Sequence, residues 1–399
     1  DVYKRQIMSR LNVSNLFNEN EDGAPVVSGI STFSSPNYFV PPSGSTAQRP
    51  SSPGEGMIRF NTDSGHLEYY TGTHWVDVIV NNNELGDQNN TNSTGGTGTR
   101  GIQAGGFSPS PLNAVHNVIQ YITIATLGNA QDFGDLVDTA AAPGSVASRT
   151  RGLVAGGGAA PTNTANNVIS AITISSTGDA TDFGDLVQKN RNQGSVGNQT
   201  RGIFAGGTND NNDDINVIQY ITIASSGNSV DFGDISAARE LLNIGQVNSA
   251  VRGIFAGGYN GPATFFNTIE YVTISTTGNS QDFGDLTQAR SRSAGVCNST
   301  RGILLGGSTP TRVNTIDFIT ITSIGNAQDF GDTSQAIQAT PGASSPTRGV
   351  FMGGTVPASP YYTNTIEYVT IAQTGNSVDF GDLIFANSGG GFSNGHGGL

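Results

Sequence analysis

Apolar and polar positions alternate in short runs along most of this chain. The runs are broken by Gly, Asn, Ser and Thr, a pattern that predicts β-strands joined by tight turns. In Asn267–Ile274 the side chains of Ile269, Tyr271 and Thr273 fall on one face, and those of Thr268, Val272 and Ile274 on the other. Both faces are semi-apolar, as expected of a sheet covered by neighbours on both sides. Upstream stands Arg252-Gly-Ile-Phe-Ala-Gly-Gly258, and downstream Asp282-Phe-Gly-Asp285. This three-part unit occurs six times between about residue 99 and the end of the chain.

The units open at Arg100, Arg151, Arg201, Arg252, Arg301 and Arg348, a period of 47 to 51 residues. That length suits a four-stranded propeller blade and exceeds leucine-rich and ankyrin units. Three strands of each blade are the Arg-Gly run, the Asn-headed run and the Asp-Phe-Gly-Asp run. A more variable fourth precedes the next Arg, as in Gly295-Val-Cys-Asn298. The tail beyond Asp382 aligns with these inter-repeat segments, so Gly390–Gly395 is expected to supply the strand the first blade lacks and to close the ring. A competing assignment gives that place to Thr91–Gly98 and leaves the tail loose. The expected fold is thus all-β, with a six-bladed propeller of four-stranded blades over residues 99–399.

Ahead of it, residues 49–80 read as a small β-hairpin or meander module, with three strands between Gly56 and Val78 and turns at Thr62–Gly65 and Thr71–Thr73. Met57, Arg59 and Asn61 alternate there with Ile58 and Phe60, and Trp75 is the expected packing anchor. A lone three-strand sheet is marginal, so it is expected to lean on the arm or on other copies. Residues 1–48 form an extended polar arm with β-prone pieces at Val26–Phe33 and Tyr38–Val40, and residues 81–98 a linker. Asp1–Gln6 looks like translated adapter at the end of a metagenomic fragment, the native chain then starting at Met8, so residues 1–7 are set aside.

Composition narrows the function. The net charge is −13 and the only lysines are Lys4 and Lys189, so no basic stripe exists for nucleic acid or an anionic membrane. The single cysteine, Cys297, excludes an intrachain disulfide and a thiolate cage. It aligns with Ala147 and Asn248 and reads as a small buried strand residue rather than a nucleophile. No run reaches the roughly 20 apolar residues of a membrane span. A signal-peptide pattern is also missing at the start, so a soluble protein is expected, whose surface role would come through assembly.

Two resemblances add to this. Gly56-Met-Ile-Arg-Phe-Asn-Thr-Asp-Ser-Gly65, with Leu67-Glu-Tyr-Tyr70, Trp75, Phe39-Val-Pro-Pro42 and Thr46-Ala-Gln-Arg-Pro50, resembles tail-fibre and appendage proteins of marine tailed bacteriophages over roughly residues 25–80. The order Gly-Gly, apolar strand, aromatic-Leu, basic residue (Arg290 or Arg292) resembles kelch repeats. It departs from them in carrying Phe133, Phe183, Phe232, Phe283, Phe330 and Phe380 where kelch units have Trp. The kelch likeness implies no enzyme. The phage likeness implies a virion protein, made in the host cytoplasm, that contacts other virion proteins through its N-terminal region, and a homotrimer.

Candidate chemistry is sparse. The step from the Asn of the second strand to the first Asp of the motif is 15 in every copy, whereas the step from the Gly-Gly doublet to that Asn runs 11, 10, 9, 9, 7 and 10. In a four-stranded antiparallel blade the variable loops gather on one face and the fixed Thr-Gly-Asn turns on the other, and loops on a rigid scaffold commonly carry recognition. These loops offer Asp210, Asp213, Asp214, Tyr259, Phe265, Phe266, Arg312, Tyr361 and Tyr362, aromatics and carboxylates suited to sugar rings or a protein patch; lid packing is the alternative.

The six motif aspartates, Asp132, Asp182, Asp231, Asp282, Asp329 and Asp379, invite a kinase or calcium reading. Six copies without the other kinase motifs dismiss the first. Structural turn use is preferred to the second. A specific expectation is that Arg100, Arg151, Arg201, Arg252, Arg301 and Arg348 each pair with an Asp of the motif. Asp210–Asp214 departs from an EF-hand at Ile215 and Ile221, and His66, His74, His116 and His396 lack metal spacing, so neither metal nor cofactor is expected. The leading expectation is a non-enzymatic virion appendage whose loops bind a host glycan or surface protein. A bacterial adhesin is the alternative, and a carbohydrate-active enzyme the second; a glycosidase would need two carboxyls at set separations.

Overall fold

The structure, a computed structural model, describes residues 41–64, 66–77, 99–108, 114–160, 162–241, 247–261 and 264–399. The arm pieces at 26–40, the linker and the Thr91–Gly98 alternative lie outside the described residues. The described chain is all-β, with one short 3-10 turn and no α-helix. It divides into two compact units at Asn83–Glu84.

In the first unit, β1 (Ser43–Gly44), β2 (Ile58–Asn61), β3 (His66–Tyr70) and β4 (Trp75–Asp77) form one sheet in that order, β1 parallel to β2 and the rest antiparallel. The module therefore begins before residue 49, because Ser43–Gly44 pairs with Phe60–Asn61 and Arg49 reaches Glu68. One face is polar yet buried: Glu68 receives Arg49 at 2.5 Å, Arg59 at 3.4 Å and the Asn61 amide at 3.1 Å. The Arg49 hydrogen bond holds the Glu68 carboxyl below its usual range. Trp75 lies against Tyr70 at 5.4 Å, under the Arg49 guanidinium. Ile58, Phe60 and Tyr69 alternate to the other face and are exposed.

The second unit is built from the repeats. The fifth is representative: Ala294–Cys297, Arg301–Leu305, Thr315–Thr320 and Gln328–Asp332 form a four-stranded antiparallel sheet in that order. In the first repeat the leading strand is Ser388–Ser393, from the far end of the chain, antiparallel to Arg100–Ser108. The fourth repeat has three described strands, its leading position marked by the bridge between Asn248 and Gly253. The Gly-Gly doublets leave the second strand with positive φ, as at Gly257 (64°) and Gly258 (114°), so the chain turns sharply there.

Apolar side chains fill the space between sheets. Ile254, Phe255, Ile269 and Phe283 are fully buried, each contributing about 1.5–3 kcal/mol. One cluster joins Ile122, Ile124 and Ala130 of the first repeat to Val350, Ile366 and Phe380 of the sixth.

The fixed spacing of the repeats has a physical cause in hydrogen bonds to the preceding repeat. Gly278 N donates to Phe232 O at 2.7 Å, Ser280 N donates to Asp234 O at 2.9 Å, and Asp234 N donates to Asn279 Oδ1 at 3.0 Å. The Thr-Gly-Asn turn of one repeat thus clamps the Phe-Gly-Asp of the one before. The same backbone pattern occurs at every junction, with Asp179 Oδ1 in place of the Asn between first and second repeats; between sixth and first it is Gly128 to Phe380 O, Ala130 to Asp382 O, and Asp382 to Asn129 Oδ1. The clamp uses the backbone of the second Asp of each motif, as at Asp234 and Asp382, while the first, Asp132, Asp182, Asp231, Asp282, Asp329 and Asp379, has its side chain exposed.

The expected Arg–Asp pairing does not occur. Arg252 Nη1 donates to Ile321 O of the following repeat at 2.9 Å, and its guanidinium lies over the Tyr271 ring at 4.8 Å. Arg100, Arg151, Arg201, Arg301 and Arg348 likewise reach the carbonyls of Ile174, Ile223, Ile274, Ile371 and Ile124. The strand end leaves a carbonyl without a ladder partner, and a guanidinium held flat by an aromatic ring is the donor that reaches it. The sixth repeat again bonds to the first.

Cys297 is fully buried, as expected, and burial pushes its thiol up to about 11. Beside it, His396 is buried against the leading strands: Nε2 lies 2.9 Å from Ala147 O, while Nδ1 faces the Asn248 amide at 3.0 Å and Gly398 N at 3.2 Å. Two donors on Nδ1 fix the neutral tautomer with its proton on Nε2. Burial lowers this imidazole from 6.5 to about 4. Between those values the unfolded chain binds a proton that the folded chain excludes, so stability is lost as pH is lowered from 6.5 to about 4, by about 3 kcal/mol in full. Urea unfolding of His396→Gln is expected to show a flatter fall between about pH 6.5 and pH 4 than the wild type. Equal slopes would contradict the assignment.

Candidate binding face

The loops after the Gly-Gly doublets fold back on the segments that precede the leading strands. Bridges join Ala141 to Gly158, Arg191 to Thr208, Glu240 to Tyr259, Ser291 to Ser308 and Gln338 to Thr355. This puts the variable loops at one end of the sheets, opposite the clamping turns, in line with the strand-connection argument.

Within the loops the expected residues take different roles. Asp210 forms an exposed pair with Lys189 at 3.6 Å. Asn209 Oδ1 accepts from Asn211 N and Asp213 N, so the Asp210–Asp214 stretch is an Asx-type turn. Asp214 is half-buried beside Thr208 and Gly261 N, and burial followed by the nearby Glu240 raises its carboxyl. Among the described residues no group of three His, Cys, Asp or Glu side chains is arranged to hold a metal ion.

Tyr259 and Phe265 face each other on a two-residue hairpin at 5.2 Å, and Phe266 lies over the Arg239 guanidinium at 5.1 Å. These three aromatics spend much of their surface on one another and on Arg239, the lid-packing alternative. Arg239 is itself fully buried and paired with Glu270 at 2.7 Å.

The sixth repeat's loop differs. Tyr362 pairs in register with Thr355, and its ring lies 6.1 Å from that of Phe107. Burial raises its phenol, while Arg292 and Arg312 act in the opposite sense from nearby. Arg312 Nε donates to Thr355 Oγ1 at 3.3 Å, which places that guanidinium beside the Tyr362 strand. Tyr361 is 56% exposed and held at φ 67°, the left-handed region.

Sequence reasoning missed Glu240 and gave Arg292 only a place in the kelch pattern. Glu240 accepts from the Asn192 amide at 2.8 Å and Thr208 Oγ1 at 3.2 Å, with Arg292 Nη2 at 3.5 Å. Arg292 and Asn192 occupy the same place before their leading strands and share positive φ, at 57° and 58°. That shared offset from the next Arg was the available signal.

No protein-family model matches this chain, and no curated protein sequence matches it either.

Proposed function

We propose that the six repeats form a six-bladed, kelch-like propeller, and that the protein is a non-enzymatic tail fibre or appendage of a tailed bacteriophage whose loop face binds a host-surface or virion partner. The observation that carries the reading is the split between constant and variable ends. Six clamps with one backbone hydrogen-bond pattern hold one end, and loops of 7 to 11 steps crowd the other. The propeller is supported by the return of the clamp, the arginine anchor and an apolar cluster from sixth repeat to first, and by the strand that the tail lends to the first sheet. The phage assignment rests on the resemblance of residues 25–80.

Two measurements test it. Mass spectrometry of tailed particles purified from a sample whose DNA encodes this chain is expected to find it among the particle proteins. On an array of bacterial surface glycans, the protein is expected to bind without turnover. Cleavage of a bound glycan would sink the non-enzymatic reading, and absence from particles the virion assignment.

A further inference from the structure

We propose that Arg292, Arg312, Tyr361 and Tyr362 form a subsite for an anionic sugar, one carrying a carboxylate or sulfate. The inference rests on the loop-face reading above and names its ligand class.

The repeat arginines each spend their donors on a backbone carbonyl, as Arg252 does on Ile321 O, and the buried Arg239 and Arg290 each on a carboxylate. Arg312 has none within ion-pair distance among the described residues, only the Thr355 hydroxyl. Arg292 shares Glu240 at 3.5 Å, with its own side chain 39% exposed and Glu240 already bonded to Asn192 and Thr208. Both guanidiniums act electrostatically on the Tyr362 phenol.

Three segments bring these groups together. Ser291, next to Arg292, bridges Ser308; Ser308 pairs with Arg312; and Arg312 bonds Thr355, which pairs with Tyr362. Two guanidiniums with free donors make a fork for a planar carboxylate or a sulfate. Tyr362 offers a hydroxyl braced by Phe107. Just before it in the chain, Tyr361 presents an exposed ring, its backbone held at positive φ in a turn closed by Tyr361 N to Ala358 O and Val356 N to Tyr361 O. A sugar ring laid on an aromatic, with its acid group in a guanidinium fork, uses all four residues.

The test uses the full chain and two matched sets of probes: oligogalacturonate against neutral oligogalactose, and a sulfated galactan oligosaccharide against its desulfated parent. Calorimetry is expected to show at least about tenfold tighter binding of one acidic probe than its neutral match, weakening as salt rises. Arg312→Gln is expected to remove about tenfold of that affinity with the melting temperature little changed, since only one long hydrogen bond, to the Thr355 hydroxyl, is lost. Tyr361→Ala is expected to weaken the acidic sugar but leave the binding of inorganic sulfate alone. The two sets separate a carboxylate ligand from a sulfate one. Equal binding of acidic and neutral probes, wild-type affinity in Arg312→Gln, or no binding of any probe overturns the subsite. Binding of a neutral glycan or a protein that other loop substitutions abolish would leave the loop-face reading standing while this inference fails.

Discussion

Gly284→Ala is expected to cost about 3 kcal/mol or more of unfolding free energy, among the largest effects of any single methyl group in this chain. Gly284 is the third residue of an Asp-Phe-Gly-Asp motif and sits at φ +147°. A Cβ built there would lie 2.5 Å from the Gly325 carbonyl oxygen and 2.9 Å from Asn326 N, both backbone atoms of the clamping turn in the next repeat. Backbone cannot rotate aside as a flexible side chain can, so the junction must open and its hydrogen bonds lengthen. Gly278→Ala is the control, because it shares the backbone conformation at φ +152° but has nothing within 4 Å of the added Cβ. Urea unfolding of the two variants separates backbone strain from close approach. Equal losses would mean that the clamp does not need the contact.

The second large effect concerns a buried charge. Arg290 and Asp317 pair at 3.1 Å with both side chains fully buried, and Asp317 also accepts from Thr287 N and Oγ1. Burial lowers the Arg290 pKa, and among the described residues its Nε and Nη1 lack a hydrogen-bond partner. Asp317→Ala would strand that cation and is expected to cost about 3–5 kcal/mol. Replacing both partners, as in Arg290→Met with Asp317→Leu, is expected to recover most of the loss, because a buried pair contributes little net stability over apolar side chains. The second repeat already runs uncharged here, with Ala140 and Ser170 at the matching positions. A double variant as unstable as Asp317→Ala would show that the pair itself, rather than the stranded charge, sets the stability.

The repeats were legible in the sequence because glycine and turn residues have few physical substitutes. The invariant step of 15 residues from Asn to Asp spans a strand, a Thr-Gly-Asn turn and the motif it leads to. Equal spacing was therefore a statement about junction geometry before any coordinates. The partner of each repeat Arg was not legible. A backbone carbonyl carries no letter of its own, and Ile321, which receives Arg252, lies 69 positions away. The buried side of the small module was equally hidden, since its polar face is sealed by Arg49, which reaches Glu68 across 19 positions.

Among the loop residues, sequence marked the variable segments and not the contacts their side chains make. Tyr259, Phe265 and Phe266 read as ligand aromatics because aromatics in loops usually are exposed, yet here they stack on each other and on Arg239. Arg292, Arg312 and Tyr362 come from separate segments, and only the strand-end bridges reveal that those segments are neighbours.

Amide hydrogen exchange at the junction of first and sixth repeats tests the ring most directly. The amides of Gly128, Ala130 and Asp382 bond across that junction, as Gly278, Ser280 and Asp234 do across an internal one. In a closed ring both sets exchange only on global unfolding and at matching rates. Fast exchange of Gly128, Ala130 and Asp382 beside protected internal amides would mean an open array, and would contradict the account.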